Sequence, residues 1–308
     1  MKIRNIKNPV PITNIGDPYV LRHEGIYYLY ATSRFHGFYC WKSDNLSDWS
    51  GPRICYRATD KSFGDSCFWA PEVYEFKGKF YMYYTAQWKI YSQEQLRIGV
   101  AVSDTPEGPF LDVYDQRPMF DPGYGVLDAH ILKDGERNYL YYSRAGANHI
   151  VNGAKEADIW VVELGDDFIT VKGEGYCILK PEQAWERKEP EKKQFWNEGP
   201  FVVKHNGYYH LMYSANYFGS LYYGIGAAVS RSPTGPFIKY ENNPILCADK
   251  QISGPGHNSV VSDSEGMLYC IYHAHTDYNM AGENRQVYIT RMDFEQDRIV
   301  LRHPPLTV

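Results

Sequence analysis

The 308-residue sequence has no run of 18 apolar residues, so it offers no membrane-spanning helix. Its opening, Met1 to Val10, starts basic but lacks the apolar core of a secretory leader. Lys and Arg number 32 against 37 Asp and Glu, a net charge of -5. They form no basic stripe of the kind that marks a nucleic-acid partner. The six cysteines (Cys40, Cys55, Cys67, Cys177, Cys247, Cys270) lie far apart, in no metal-ligand spacing. Several sit in strand-like runs, so free buried thiols in a reducing compartment are expected. These absences together predict a cytoplasmic protein with neither membrane nor nucleic acid as partner.

What the sequence has in quantity is aromatic: 28 Tyr, 14 Phe and 7 Trp. Aromatic side chains favour strands, and their faces stack on sugar rings. Many fall in one recurring unit: an acid or histidine, a short apolar strand, a Gly-containing turn, and an aromatic strand. The clearest copy runs from Glu198-Gly199-Pro200 through the Asn206-Gly207 turn to Ser214. Asn-Gly between two apolar runs is a strong hairpin signal. The copies start near 17, 71, 128, 198 and 257, giving spacings of 54, 57, 70 and 59 residues. A repeated hairpin buries too little alone and must stack on its neighbours. Further short apolar strands lie between copies, at 38–41, 97–102, 159–162 and 225–229. Four strands per repeat, stacked radially, make a propeller blade. The prediction is an all-β, five-bladed β-propeller forming a single domain over 1–308. A β-sandwich with chance self-similarity leaves the ordered recurrence unexplained.

Residues 1–16 are expected to be irregular and to help close the ring, and strand 285–292 to pair with the N-terminal region. Ser/Asp/Pro/Gly-rich segments at 41–49, 102–110 and 229–237 read as outer turns. Residues 181–197 account for the long spacing and read as a solvated loop, with a lid as the alternative, and with Phe195-Trp196 returning to the ring.

Inner strands of a propeller point their starts at one mouth of the central channel. The residues there are Asp17, Glu72, Asp128, Glu198 and His257. A structural role would reuse one residue type. Several carboxylates around one opening repel and shift each other's pKa, which points to a functional site. Glycoside hydrolysis uses two opposed carboxylates, one protonating the leaving oxygen and one acting on water or sugar. A third acid can raise the pKa of the donor and orient it.

At these residues the sequence resembles glycoside hydrolase family 43, five-bladed propellers that cleave arabinose- and xylose-containing glycans. The resemblance rests on Asp17-Pro18, Trp69-Ala70-Pro71-Glu72, Asp128, Glu198-Gly199-Pro200, Gly256-His257 and Arg285, in that order. It implies an inverting mechanism with Asp17 as general base, Glu198 as general acid and Asp128 as modulator and orienter of the acid. It further implies that Trp69 lines the sugar pocket and that Arg285 reaches the sugar and the modulator. His257 would face a hydrated calcium ion in the channel, a structural and electrostatic Ca²⁺. Residues Phe35 to Phe38 and Asn216 to Phe218 follow inner hairpins and are expected to rim the pocket, Phe38 among the substrate contacts. The expected function is release of terminal α-L-arabinofuranosyl or β-D-xylosyl units from small oligosaccharides. Three alternatives stay open: an endo-acting arabinanase, a non-catalytic sugar-binding propeller, and a phosphorylase, for which no basic phosphate cluster is evident.

Overall fold

The computed structural model describes residues 6–302 except 147–148, 280–281 and 283. The strands fall into five four-stranded antiparallel blades. Blade one is β1 (Gly16–His23), β2 (Ile26–Thr32), β3 (Gly37–Ser43) and β4 (Ser50–Arg57). Blade two is β5 (Gly64–Phe76), β6 (Lys79–Trp88), β7 (Leu96–Ser103) and β8 (Leu111–Asp112). Blade three is β9 (Val126–Asp134), β10 (Arg137–Arg144), β12 (Ala154–Leu164) and β13 (Val171–Leu179), with the short β11 (Ile150–Val151) on β12. Blade four is β14 (Gln194–His205), β15 (Tyr208–Ala215), β16 (Gly224–Ser230) and β17 (Ile238–Lys239). Blade five is β18 (Gly256–Ser262), β19 (Leu268–His275), β20 (Arg285–Glu295) and β21 (Arg298–Arg302). The first strands touch around a closed circle, β1 to β5 to β9 to β14 to β18 and back to β1. This is the expected five-bladed propeller.

The inner hairpins turn at Glu24-Gly25, Lys77-Gly78 and Asn206-Gly207, with positive φ at both residues of each turn. That is the tight turn whose twist matches a β-hairpin. Inter-blade packing is aromatic: Phe38, Tyr56, Phe68 and Tyr84 are buried together between blades one and two. All six cysteines are free thiols, three of them buried.

The N-terminal segment closes the ring as expected. Val10 N–H donates to Val287 O, and Thr13 bridges Gln286. Asn8 bonds both backbone groups of Ile289. Strand β21 pairs only with the second half of β20 (Arg291 to Glu295), so the N-terminus supplies the fourth strand beside the first half.

Residues 181–197 differ in part from expectation. Residues 190–194 are solvated and Phe195-Trp196 return to the ring, as expected, but 181–187 are clamped to blade four. Glu186 is fully buried and takes hydrogen bonds from Lys239 Nζ at 2.5 Å and Tyr213 Oη at 2.8 Å. It lies in the first of two short 3₁₀ turns, Ala184–Arg187 and Pro190–Lys192, and β14 then pairs in parallel with β12, joining blades three and four. An unpaired carboxylate cannot be buried cheaply, and the Lys239 partner is what permits it.

Candidate active site

Each inner strand slips register against its neighbour where two residues oppose one: Asp17-Pro18, Ala70-Pro71, Asp128-Ala129, Gly199-Pro200 and His257-Asn258. The first residue of every pair is left-handed, with φ of 54°, 47°, 58°, 57° and 48° respectively. That conformation costs a non-glycine residue about 1–2 kcal/mol. It is held by a belt of bonds between blades. The amide of Ala70 donates to Thr32 Oγ1 at 2.8 Å, and that of Asp128 to Thr85 Oγ1 at 3.1 Å. The amide of His257 donates to Ser214 Oγ at 2.6 Å, and that of Asp17 to His273 Nδ1 at 3.0 Å. In blade four the Gly199 amide donates instead to the Asp128 carboxylate, at 3.1 Å, which Ser143 Oγ also reaches at 3.3 Å. Bulges of this kind re-aim side chains, here into the channel mouth.

The bulges refine the expected register. Asp17, Asp128 and His257 share the left-handed position. Glu198 stands one residue earlier, level with Trp69. Glu72 lies past its bulge and turns away from the mouth. It accepts bonds from the Tyr74 hydroxyl and from His130 Nδ1, the latter at 3.0 Å. Glu72 therefore ties blade two to blade three and does not line the cavity.

The remaining groups meet. Asp17 Oδ1 lies 3.1 Å from Arg285 Nη1, 3.3 Å from His257 Nδ1 and 3.6 Å from His273 Nδ1. Thr32 Oγ1 donates to its other oxygen at 2.5 Å. Burial alone would raise the Asp17 pKa, but these neighbours outweigh it and hold the carboxyl below the usual range. Glu198 goes the other way: burial, then the charge of Asp128, pushes it up to about 8. The Tyr223 hydroxyl, donating to Glu198 Oε1 at 2.8 Å, partly offsets this. Asp128 is raised by burial and by Asp17, against His257 and its own hydrogen bonds. For His257, burial is outweighed by Asp17, Asp128 and Glu198, and its pKa rises. Burial and the Arg285 charge keep His273 neutral, as it must be to accept the Asp17 amide. Carboxylates whose surroundings push their pKa values apart are suited to opposite roles: Asp17 as base, Glu198 as acid.

These residues floor a cavity of about 580 Å³ lined from all five blades. Asp17, Asp128, Glu198, His257, Trp69 and Arg285 all reach it. Arg285 stacks on Phe218 at 4.7 Å. It fits against β1 because position 16 is glycine; a Cβ there would lie 2.2 Å from the Arg285 Cζ. Phe38 does not reach the cavity. It is the first side chain that β3 turns inward, fully buried against Tyr56, Phe68 and Tyr84. Phe35 and His36, on the loop before that strand, line the cavity in its place, as do Tyr217 and Phe218.

Sequence reasoning passed over His273, Tyr223 and Trp196. His273 had a legible signal. The second strands place Thr32, Thr85, Ser143 and Ser214 opposite the residue before the bulge, and the fifth repeat has histidine there. Tyr223 had none, since its contact with Glu198 depends on a loop path.

The calcium expected at His257 finds no direct set of ligands. Among the described residues, no group of three His, Cys, Asp or Glu side chains is placed to hold a metal. His257 Nδ1 is turned to Asp17. No catalytic step is assigned to an ion here.

The fold and the opposed carboxylates define a glycoside hydrolase built on a five-bladed propeller. The chain belongs to glycosyl hydrolases family 43, whose profile matches residues 6–300. A thermostable family-43 glycoside hydrolase of known structure shares 42% identity, at a TM-score of 0.92 over 99% of this chain and 98% of that one. Beta-D-galactofuranosidase xynD of Aspergillus niger is 34% identical over 204 residues, 65% of this chain and 53% of that protein. The chain thus matches about half the length of that relative. Xylosidase/arabinosidase 43A of Humicola insolens is 27% identical, over 90% of this chain and 87% of its own.

Proposed function

We propose an inverting exo-glycosidase that releases terminal α-L-arabinofuranosyl or β-D-xylosyl units from oligosaccharides. The observation that carries it is the divergence of two buried carboxylates in one cavity: Glu198 raised to about 8, Asp17 held low. Asp17 takes a proton from water as it attacks the anomeric carbon. Glu198 gives its proton to the departing glycosidic oxygen. Asp128, fixed by Gly199 and Ser143, keeps Glu198 protonated through its charge. Arg285 and Trp69 hold the sugar. Loops from every blade ring the cavity, through Phe35, Glu94, Gly146, Tyr217 and Asn284. That favours a pocket for a chain end over an open groove.

The relatives' names support furanosyl and xylosyl substrates. α-L-Arabinofuranose and β-D-galactofuranose share their ring stereochemistry, so the aryl β-D-galactofuranoside belongs in the test. The experiment is hydrolysis of aryl α-L-arabinofuranoside, β-D-xyloside and β-D-galactofuranoside beside linear arabinan, by wild type and Glu198→Ala. Loss of aryl release in the variant, with the inverted anomer first by NMR, is expected. Release from arabinan alone would make the enzyme endo-acting. Release of the retained anomer would remove the base role of Asp17.

Calcium facing His257 through waters is part of the proposal, with a structural role. EDTA should then lower the melting temperature; an unchanged melt removes the ion. The free thiols suit a reducing, cytoplasmic setting. Recovery of the protein from the culture medium would overturn that location. No helix among the described residues is long and apolar enough to cross a membrane.

A further inference from the structure

Beside the main cavity lies a smaller one of about 160 Å³, between blades two and three. The two share Glu94, Ala145 and Gly146, so they abut. The annex volume is room for about five waters. Its wall carries Arg144, the residue after Ser143 on β10. Side chains alternate along a strand, so Ser143 faces Asp128 while Arg144 faces the annex.

Arg144 differs from the other sheltered cations nearby. Arg97, Arg187, Lys239 and Arg285 each meet a carboxylate within 3.1 Å. Arg144 has no hydrogen-bond or ion-pair partner among the described residues, and its Nε is buried with none. Its guanidinium is instead held between two rings, 4.3 Å from the Tyr124 centroid and 5.2 Å from that of Trp160. Stacking fixes the plane and leaves the fork of N–H groups unused. Other donors surround it. The Gln95 side-chain oxygen is taken by Arg97, leaving the amide nitrogen free of partners among the described residues. His149 is steadied by Asp158, at 2.8 Å from Nε2. Glu94 is the one carboxylate of the lining, and it is exposed at the lip where water screens it.

Asp158 stands opposite Arg144 in the β10–β12 register but is bonded to His149 and makes no ion pair with it. A pre-oriented guanidinium without an ion-pair partner matches a planar carboxylate, with two parallel hydrogen bonds. Position narrows the ligand further. The annex abuts the cavity that holds Asp17 and Glu198, so a glycan seated there would bring its ligand to Arg144. We propose that this annex receives the carboxylate of a uronic acid unit of the glycan, with Arg144 as its anchor. The proposal rests on the hydrolase reading and adds the class of substrate: an acidic, uronate-bearing oligosaccharide.

The test is calorimetric titration of the whole protein with D-glucuronate and D-galacturonate, against D-glucose and acetate as neutral and plain-carboxylate controls. At least one uronate should bind more tightly than both controls. Arg144→Met, which keeps the stem but not the fork, should weaken it about tenfold or more, the effect of a lost charge-assisted bond. Arg144→Lys, which retains the charge, should fall between and guards against a Met variant that fails to fold. Uronates binding no better than glucose, or binding unchanged in the variants, would overturn the proposal. Acetate binding as tightly as glucuronate would reduce the annex to a plain anion site and overturn its sugar assignment. Hydrolysis of the uncharged aryl glycosides by wild type reads the proposed function separately, because those substrates carry nothing for the annex.

Discussion

Asp17 and Glu198 are both buried acids, and what separates them is the charge of their neighbours. Asp17 sits among a guanidinium and two imidazoles; Glu198 has Asp128 and one phenol. With a folded pKa near 8 against an ordinary 4.5, Glu198 keeps its proton in the folded state where the unfolded chain releases it. Stability from this group is therefore complete below about pH 4.5 and declines as pH rises toward 8. Glu198→Gln cannot ionise, so its melting temperature should gain on wild type between pH 5 and pH 8. Its hydrolysis should fall about 10²–10⁴-fold. The alkaline limb of the wild-type pH–rate profile should lie near 8, an apparent value belonging to the Glu198–Asp128 pair. Tyr223→Phe removes the bond that lowers Glu198, so that limb should move up. A limb that stays or moves down would mean the phenol does not act on the acid.

The bulge is the element that makes a site from a repeat. It occurs in every inner strand, with or without chemistry: Ala70 and Gly199 take the same backbone form as Asp17, Asp128 and His257. The belt of inter-blade bonds explains why this costly conformation persists. Small residues around it make room for the catalytic groups. A Cβ at position 256 would lie 2.0 Å from Tyr223 Cε1. Gly256→Ala should therefore push the ring off Glu198, lower kcat and shift the alkaline limb as Tyr223→Phe does. Overpacking should also cost about 1–3 kcal/mol in urea unfolding. An unchanged profile would show that the ring adapts without leaving the acid.

At the scale of the molecule, the ring is closed by its own N-terminus. Asn8 holds the two backbone groups of Ile289 at 2.7 and 2.9 Å, and all of these are buried. Asn8→Ala would leave a buried donor and acceptor unsatisfied, at a cost of about 2–4 kcal/mol. Urea denaturation should show this as a lower midpoint with an unchanged slope. A loss below 1 kcal/mol would place the closure elsewhere, on the apolar contacts of Val10, Ile12 and Ile15.

The sequence by itself determined the fold and which carboxylates converge on the channel mouth, Asp17, Asp128 and Glu198. Hairpin turns, strand alternation and a repeated unit are local patterns, and local patterns survive in one dimension. Asp17, Asp128 and Glu198 were legible because each sits at a fixed place in a repeat. The alignment of that place was off by one or two residues, because a bulge adds residues that no hydrophobic period reveals. Tertiary structure decided the rest. It buried Phe38 and turned Glu72 away from the mouth. It clamped 181–187 by pairing Glu186 with Lys239, 53 residues on. It brought Tyr223 to Glu198 and left Arg144 facing a cavity without an ion pair among the described residues. Which charges meet depends on the packing of blades distant in sequence, and pKa values follow from those meetings.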